Sequence, residues 1–104
     1  NLRLLSLSDN HLTHLPGQID RLQHLMALDV GHNNLQSLPA SIGELNRLQI
    51  LRLGSNQIRQ LPETIGQLQN LRELRLSRNP IDEIPSWIDQ LSELEILDLR
   101  SSRE

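Results

Sequence analysis

Cysteine, phenylalanine and tyrosine are absent from this chain of 104 residues, and a single tryptophan, Trp87, supplies its whole aromatic content of 1%. Without cysteine there are no disulfides and no thiolate metal sites. An ordinary single core draws much of its buried area from aromatic rings, so a core here has to be assembled from leucine and isoleucine, one shape reused in a regular stack. Hydrophobic residues make up 37% of the chain, below the average for a globular domain. No apolar run approaches the roughly 20 residues that a membrane helix needs, and no signal-peptide pattern is present. The formal charge of −3 gives no global attraction to nucleic acid or to an anionic membrane. The length allows one domain at most.

What is present is a repeat. Asn10, Asn33, Asn56 and Asn79 are spaced by 23 residues. Three positions before each stand Leu7, Val30, Leu53 and Leu76, and five before stand Leu5, Leu28, Leu51 and Leu74. Five positions after come Leu15, Leu38, Leu61 and Ile84, each followed by a proline: Pro16, Pro39, Pro62 and Pro85. The register continues through Ile19, Ile42, Ile65 and Ile88 to Leu22, Leu45, Leu68 and Leu91. Four full units run 2–24, 25–47, 48–70 and 71–93, and a partial fifth covers 94–104. No linker, insertion or low-complexity segment interrupts them, so residues 1–104 read as one repeat domain. The chain opens on Asn1 in the middle of the pattern, which reads as a piece of a longer chain.

The first part of each unit, such as LQILRL, alternates apolar and polar residues as a short strand does. The later part, such as LPETIGQL, places apolar residues three and four apart after a proline. That suits a short helix or 3₁₀ turn with proline in its first turn, limited by Gly43 and Gly66. One strand and one short helix cannot bury their leucines alone. Stacked neighbours do so, forming a curved solenoid with a parallel sheet inside.

The pattern L-x-x-L-x-L-x-x-N-x-(L/I)-x-x-L-P-x-x-I-x-x-L resembles the leucine-rich repeat. Its LPxxIGxL variant resembles the 23-residue repeats of intracellular Ras-associated scaffolds, of the erbin and scribble polarity proteins, of Roco-type proteins and of many bacterial proteins. The resemblance covers the whole chain. It implies an α/β fold, a right-handed solenoid with a concave parallel β-sheet and short helical or 3₁₀ segments on the convex side. It also implies a horseshoe arc that binds other proteins, usually on the concave face. Extracellular relatives often carry cysteine-rich caps; their absence here points to an intracellular, cytoplasmic setting.

The recurring asparagines occupy the turn from strand into outer arc, with side chains pointing inward. A buried polar group there costs roughly 1–3 kcal/mol unless hydrogen-bonded. A carboxamide offers two donors and an acceptor, enough to satisfy its own turn and the adjacent unit. Asn10, Asn33, Asn56 and Asn79 are therefore expected to form a structural ladder, ending at Ser102, beyond which the terminal segment should be loosely held.

Between the leucines, the strand side chains face the inner surface. The middle row reads Ser6, Asp29, Arg52, Arg75, Asp98, and the row two residues earlier reads Leu4, Ala27, Ile50, Glu73, Ile96. Two later stand Ser8, Gly31, Gly54, Ser77 and Arg100, followed by Asp9, His32, Ser55, Arg78 and Ser101. Strands about 4.8 Å apart bring Asp29, Arg52, Arg75 and Asp98 side by side. In one reading Asp29 pairs with Arg52 and Asp98 with Arg75, as solvated pairs worth about 0–1 kcal/mol each. In the other, two adjacent guanidiniums keep unused donors able to grip a carboxylate. Arg72, Arg78 and Arg100 enlarge the basic region, and Leu4, Ile50 and Ile96 stand beside it as exposed aliphatics. Arginines flanked by aliphatic contacts resemble an interface hot spot.

The remaining conspicuous residues carry less. A zinc site from Asp9, His11 and His32 would draw on different rows with no recurring ligand spacing; with His14 and His24 these read as surface histidines, and no metal or other cofactor is expected. Trp87 replaces Gln18, Ser41 and Thr64 on the outer arc and reads as lying across its neighbour or a further unit, with a convex-face contact as the alternative. No phosphate-binding loop, no Ser–His–Asp arrangement and no enclosed pocket is legible, so enzyme activity is not expected. Nucleic-acid binding is disfavoured because acids offset the arginines and there are no aromatics for stacking. The function expected is protein–protein interaction through the concave face, as a scaffold or signalling module. The alternative is a spacer or self-association element beside an enzyme or signalling domain, since uncapped solenoid ends invite flanking units or end-to-end pairing.

Overall fold

In a computed structural model of the chain, which describes residues 2–100, short strands alternate with short 3₁₀ helices. The strands are β1 (Leu4–Ser6), β2 (Ala27–Asp29), β3 (Ile50–Arg52), β4 (Glu73–Arg75) and β5 (Ile96–Asp98). They form one parallel sheet in the order β1-β2-β3-β4-β5. Leu5, Leu28, Leu51, Leu74 and Leu97 stand opposite one another across it. The sheet is parallel because each strand returns through an outer arc rather than a tight hairpin. The result is a right-handed solenoid with the sheet on its concave side and the helices on its convex side.

The four helices span Gly17–Arg21, Ala40–Glu44, Glu63–Gln67 and Ser86–Gln90. Each proline stands just outside its helix in extended backbone, with φ between −65 and −69°, rather than in the first turn as its position suggested. Its carbonyl opens the helix instead, accepting from the N–H of Ile19, Ile42, Ile65 or Ile88 at 3.1 to 3.3 Å. Proline suits this place because its φ is fixed and no N–H is needed from it.

Gly43 and Gly66 do not limit the helices; both lie inside them. Their role is close approach. A Cβ at Gly43 would stand 2.5 Å from both the Cβ and the carbonyl oxygen of Thr64, and one at Gly66 would stand 2.8 Å from Gln90 Oε1. Across the same contact Ser41 Oγ donates to the Gly17 carbonyl and Thr64 Oγ1 to the Ala40 carbonyl, each at 2.7 Å. Trp87 takes the next place in that row, lies against Gly66 and is buried.

The core runs through the middle of the stack. Leu28, Leu51 and Leu74 from the strands, Leu45 and Leu68 from the ends of the helices, and Ile42 and Ile65 from within them are closed to solvent or nearly so. Fully burying such a side chain contributes about 1.5–3 kcal/mol. Leu5, Leu7, Leu94 and Leu99 of the outermost units are covered only in part. On the outer loops, Asn34 N–H donates to the Leu12 carbonyl and Gln57 N–H to the Leu35 carbonyl, both at 2.8 Å. The corresponding residue in the next unit is Pro80, which has no N–H; there Asp82 N–H reaches the Arg59 carbonyl at 3.2 Å instead. Among the described residues no buried side-chain polar atom lacks a hydrogen-bond partner.

Candidate binding surface on the concave sheet

The asparagines hold the strand ends that present this surface. Asn56 Nδ2 donates to the carbonyls of Leu53 (3.0 Å) and Gly54 (3.3 Å) in its own turn and of Val30 (3.1 Å) in the preceding unit. Its Oδ1 accepts from Leu35 N–H at 2.9 Å. Asn33 and Asn79 repeat the arrangement one unit earlier and later. Asn10 is exposed and, among the described residues, its side chain bonds only the carbonyls of Leu7 and Ser8 in its own turn. Ser101 and Ser102 lie outside the described residues. Immediately before each asparagine the backbone enters the left-handed region, with φ of 60° at Asp9, 56° at His32, 57° at Ser55 and 59° at Arg78. The turn thus carries a strained residue that the asparagine bonds lock in place.

Side chains between the leucines project from the sheet, and one of them is not free. Glu73 is buried on an otherwise open face. Its Oε2 accepts from Arg52 Nε and from Arg75 Nε, both at 2.7 Å. Of the two pairs in the first reading, one is absent and one is present. Asp29 makes no ion pair with Arg52 among the described residues; its Oδ1 turns onto Gly31 N–H at 3.0 Å, because the backbone donor two residues on is within its short reach. Arg52 is left to Glu73, its diagonal neighbour on β4. Asp98 does meet Arg75, at 3.5 Å, but it holds Arg100 more closely, with Nε at 3.0 Å and Nη2 at 2.9 Å.

These contacts set the electrostatics. The Arg52 hydrogen bond holds the Glu73 carboxyl below the ordinary glutamate range against the cost of burial, and Arg75 adds to it. Arg52 is raised in turn, first by its hydrogen bond to Glu73. Asp98 is lowered chiefly by the side chain of Arg100. Arg52 uses only Nε, so both of its Nη groups have no protein partner among the described residues.

Next to this cluster, Leu4, Ala27 and Ile50 form the floor of a shallow depression of about 440 Å³, which Ser6, Asp29 and Arg52 also line. Ile96 continues the same row as an exposed residue on β5. The two other candidates do not join the cluster. Arg72, just before β4, is exposed and makes no ion pair among the described residues; its carbonyl accepts from Glu95 and Ile96 N–H. Arg78 lies beyond the strand and lines a larger depression of about 620 Å³ with Arg59 and Pro80, among the loops where Pro80 breaks the outer bonding. Among the described residues no three His, Asp or Glu side chains gather as metal ligands would, and no helix is long and apolar enough to cross a membrane.

Two features escaped the sequence reading. The role of Glu73 as a bridge was not legible, because the residues it holds lie on two strands and a diagonal. The hydroxyl bonds of Ser41 and Thr64 had a usable signal, hydroxyl residues 23 apart on the outer arc.

Comparisons with known proteins agree with this geometry. A profile described as a leucine-rich repeat region matches residues 1–74, and one described as a leucine rich repeat matches residues 47–103. Among solved structures, a leucine-rich-repeat protein of Leptospira interrogans is 42% identical with a TM-score of 0.82, over 91% of this chain and 25% of that one. Internalin C2 of Listeria monocytogenes is 30% identical with a TM-score of 0.82, over 95% of this chain and 42% of that one. The plant peptide hormone receptor RGFR1, solved in complex with RGF2, is 28% identical with a TM-score of 0.65, over 95% of this chain and 20% of that one. The chain thus spans less than half the length of each of these. No curated protein matches it significantly. Repeat spacing, parallel register and matching profiles together assign this chain to the leucine-rich-repeat family.

Proposed function

We propose that this chain is a protein-interaction module that holds a protein partner on its concave face. The observation that carries the reading is the pair Arg52 and Arg75, fixed by one buried carboxylate beside an aliphatic depression. Arginine next to exposed aliphatic surface that a partner would cover is the composition of an interface hot spot. Because the guanidiniums are already held, little side-chain ordering is left to oppose binding. The complex of the plant receptor with RGF2 supports the use of this fold to hold another molecule.

The test compares partners captured from lysate of the source organism by the unaltered chain, by Arg52→Gln/Arg75→Gln and by a control in the first convex-side helix, Arg21→Gln. Glutamine is preferred to glutamate because charge reversal would set two further carboxylates against the buried Glu73. A partner weakened at least tenfold by the double change and untouched by the control supports concave binding. A partner set unchanged by the double variant sinks it.

A further inference from the structure

Three rows of hydrogen bonds tie neighbouring units together away from the sheet, and all three stop at one junction. On the outer loops, Asn34 N–H donates to the Leu12 carbonyl and Gln57 N–H to the Leu35 carbonyl. The third member of that row is Pro80, which has no N–H. Along the helices, the hydroxyls of Ser41 and Thr64 reach the Gly17 and Ala40 carbonyls; the third member is Trp87, which has no hydroxyl. After the helices, Arg47 Nη1 meets His24 Nδ1 at 2.9 Å and Asn70 Nδ2 donates to the Asn46 carbonyl at 2.8 Å. The third member there is Glu93, whose carboxylate has no proton to donate. Pro80, Trp87 and Glu93 all belong to the fourth unit, so the rows that join units one to two and two to three do not join three to four.

What takes their place is weaker. Asp82 N–H reaches the Arg59 carbonyl at 3.2 Å. The side chains of Arg59 and Asp82 pair at 3.6 Å, both more than half exposed, where an ion pair contributes little. Trp87 lies buried against Gly66, an apolar contact without direction. Between the two outer loops a depression of about 350 Å³ reaches Leu61, Ile81 and Trp87, and Leu61 is half-buried where its counterparts Leu15 and Leu38 are buried. The concave side of the same junction is bonded like its neighbours. Leu53 N–H donates to the Arg75 carbonyl at 2.8 Å and Ser55 N–H to the Ser77 carbonyl at 2.9 Å, as Val30 and His32 N–H do to Arg52 and Gly54 one junction earlier. Asn79 Nδ2 reaches the Leu53 carbonyl at 2.9 Å, and Arg52 Nε holds Glu73 across the junction.

We infer that the solenoid carries a hinge between its third and fourth units. The outer arc of unit four, residues 80–93, swings away from unit three on the β3–β4 contact, and Trp87 against Gly66 is the latch that holds it closed. Relative twist between adjacent strands ranges over roughly 25°, so the sheet bonds survive the swing. What changes is the separation of the two outer loops, and with it the curvature of the arc at the line that Arg52 and Glu73 span. The hinge is a property of the frame and stands whether or not a partner lies on the concave face.

The experiment measures hydrogen-exchange protection amide by amide in the unaltered chain, together with acrylamide quenching of Trp87, its single tryptophan. Asp82 N–H is expected to be at least tenfold less protected than Gln57 N–H, its counterpart in bonding one junction earlier. Leu53 and Ser55 N–H, on the concave side of the hinge, should match Val30 and His32 N–H within about threefold. The same measurements follow on Pro80→Gln/Glu93→Asn, which returns a donor to two of the three rows, after a check of native circular dichroism. There the amide introduced at position 80 should be as protected as Gln57 N–H, and the quenching constant of Trp87 should fall at least twofold. Asp82 protected as well as Gln57 in the unaltered chain overturns the hinge, and that comparison holds even if the double variant does not fold. Leu53 and Ser55 exchanging as fast as Asp82 would mean that the units part altogether, which also overturns it. Asn34 N–H, at the opposite end of the stack, exchanging as fast as Asp82 would reduce the effect to fraying of both ends. Unchanged quenching in a natively folded double variant overturns the assignment of the swing to the missing bonds.

Discussion

Asn56 makes four hydrogen bonds, three as donor and one as acceptor, from a buried position. Replacing it with alanine strands backbone groups in two adjacent units at once, at roughly 1–3 kcal/mol for each group left unsatisfied. Asn56→Ala is therefore expected to lower stability by about 3 kcal/mol or more, read from urea unfolding. Asn10→Ala should cost under about 1 kcal/mol, because Asn10 is exposed and among the described residues its side chain bonds only its own turn. Equal costs would show that the link between units contributes nothing. Glu73 gives the second prediction at this scale. Its folded pKa is depressed, first through Arg52, so the stability it contributes is fully present above the ordinary glutamate value of roughly 4.3. It is lost as pH falls through the depressed folded value. The stability gap between the unaltered chain and Glu73→Gln should close as pH drops below that range; a gap independent of pH counts against a charged Glu73. The recurrence of asparagine was legible because every rung repeats at one spacing. Glu73 does not recur: its counterparts are Leu4, Ala27, Ile50 and Ile96, and a solitary residue gives no period to detect.

At the scale of the element, the stacking distance between 3₁₀ helices depends on residues without side chains. Gly43→Ala puts a methyl group 2.5 Å from Thr64 backbone and side chain, neither of which can yield without moving the next helix. It should cost about 1–3 kcal/mol as overpacking, visible as a lowered urea midpoint. Gly17→Ala meets nothing within 4 Å and serves as the control; equal effects would refute the close-approach reading. Helix and strand positions were legible from the leucine and proline spacing. The placement of proline outside the helix was not, because spacing alone does not say whether its own carbonyl or the next one opens the first turn. Nor was the role of Gly43 and Gly66: a glycine in a helical pattern looks like a terminator until the neighbouring helix is known to lie against it.

For the whole molecule, the exposed large hydrophobic residues other than Ile84 stand at the outermost strands of the described sheet. Leu2 and Leu4 stand at β1, and Ile96 and Leu97 at β5, between 37 and 70% exposed. Apolar edge strands template pairing with another chain. The 104-residue chain by itself is expected to associate end to end as its concentration rises, read as a growing mass in static light scattering. Polar end units fused to both sides should abolish the growth. A constant monomer mass across the concentration range would contradict pairing through the edges.

By itself the sequence determined the repeat, the parallel stack, the leucine core and the inner rows, since all of these follow from a period of 23 residues and from side-chain alternation. It also brought Arg52 and Arg75 side by side. Only the tertiary structure decided which partners those arginines take. Glu73 lies diagonally across strands from Arg52, and Asp29 is drawn off by a backbone N–H two residues on. A row lists neighbours at equal spacing; hydrogen bonds select among them by reach and direction.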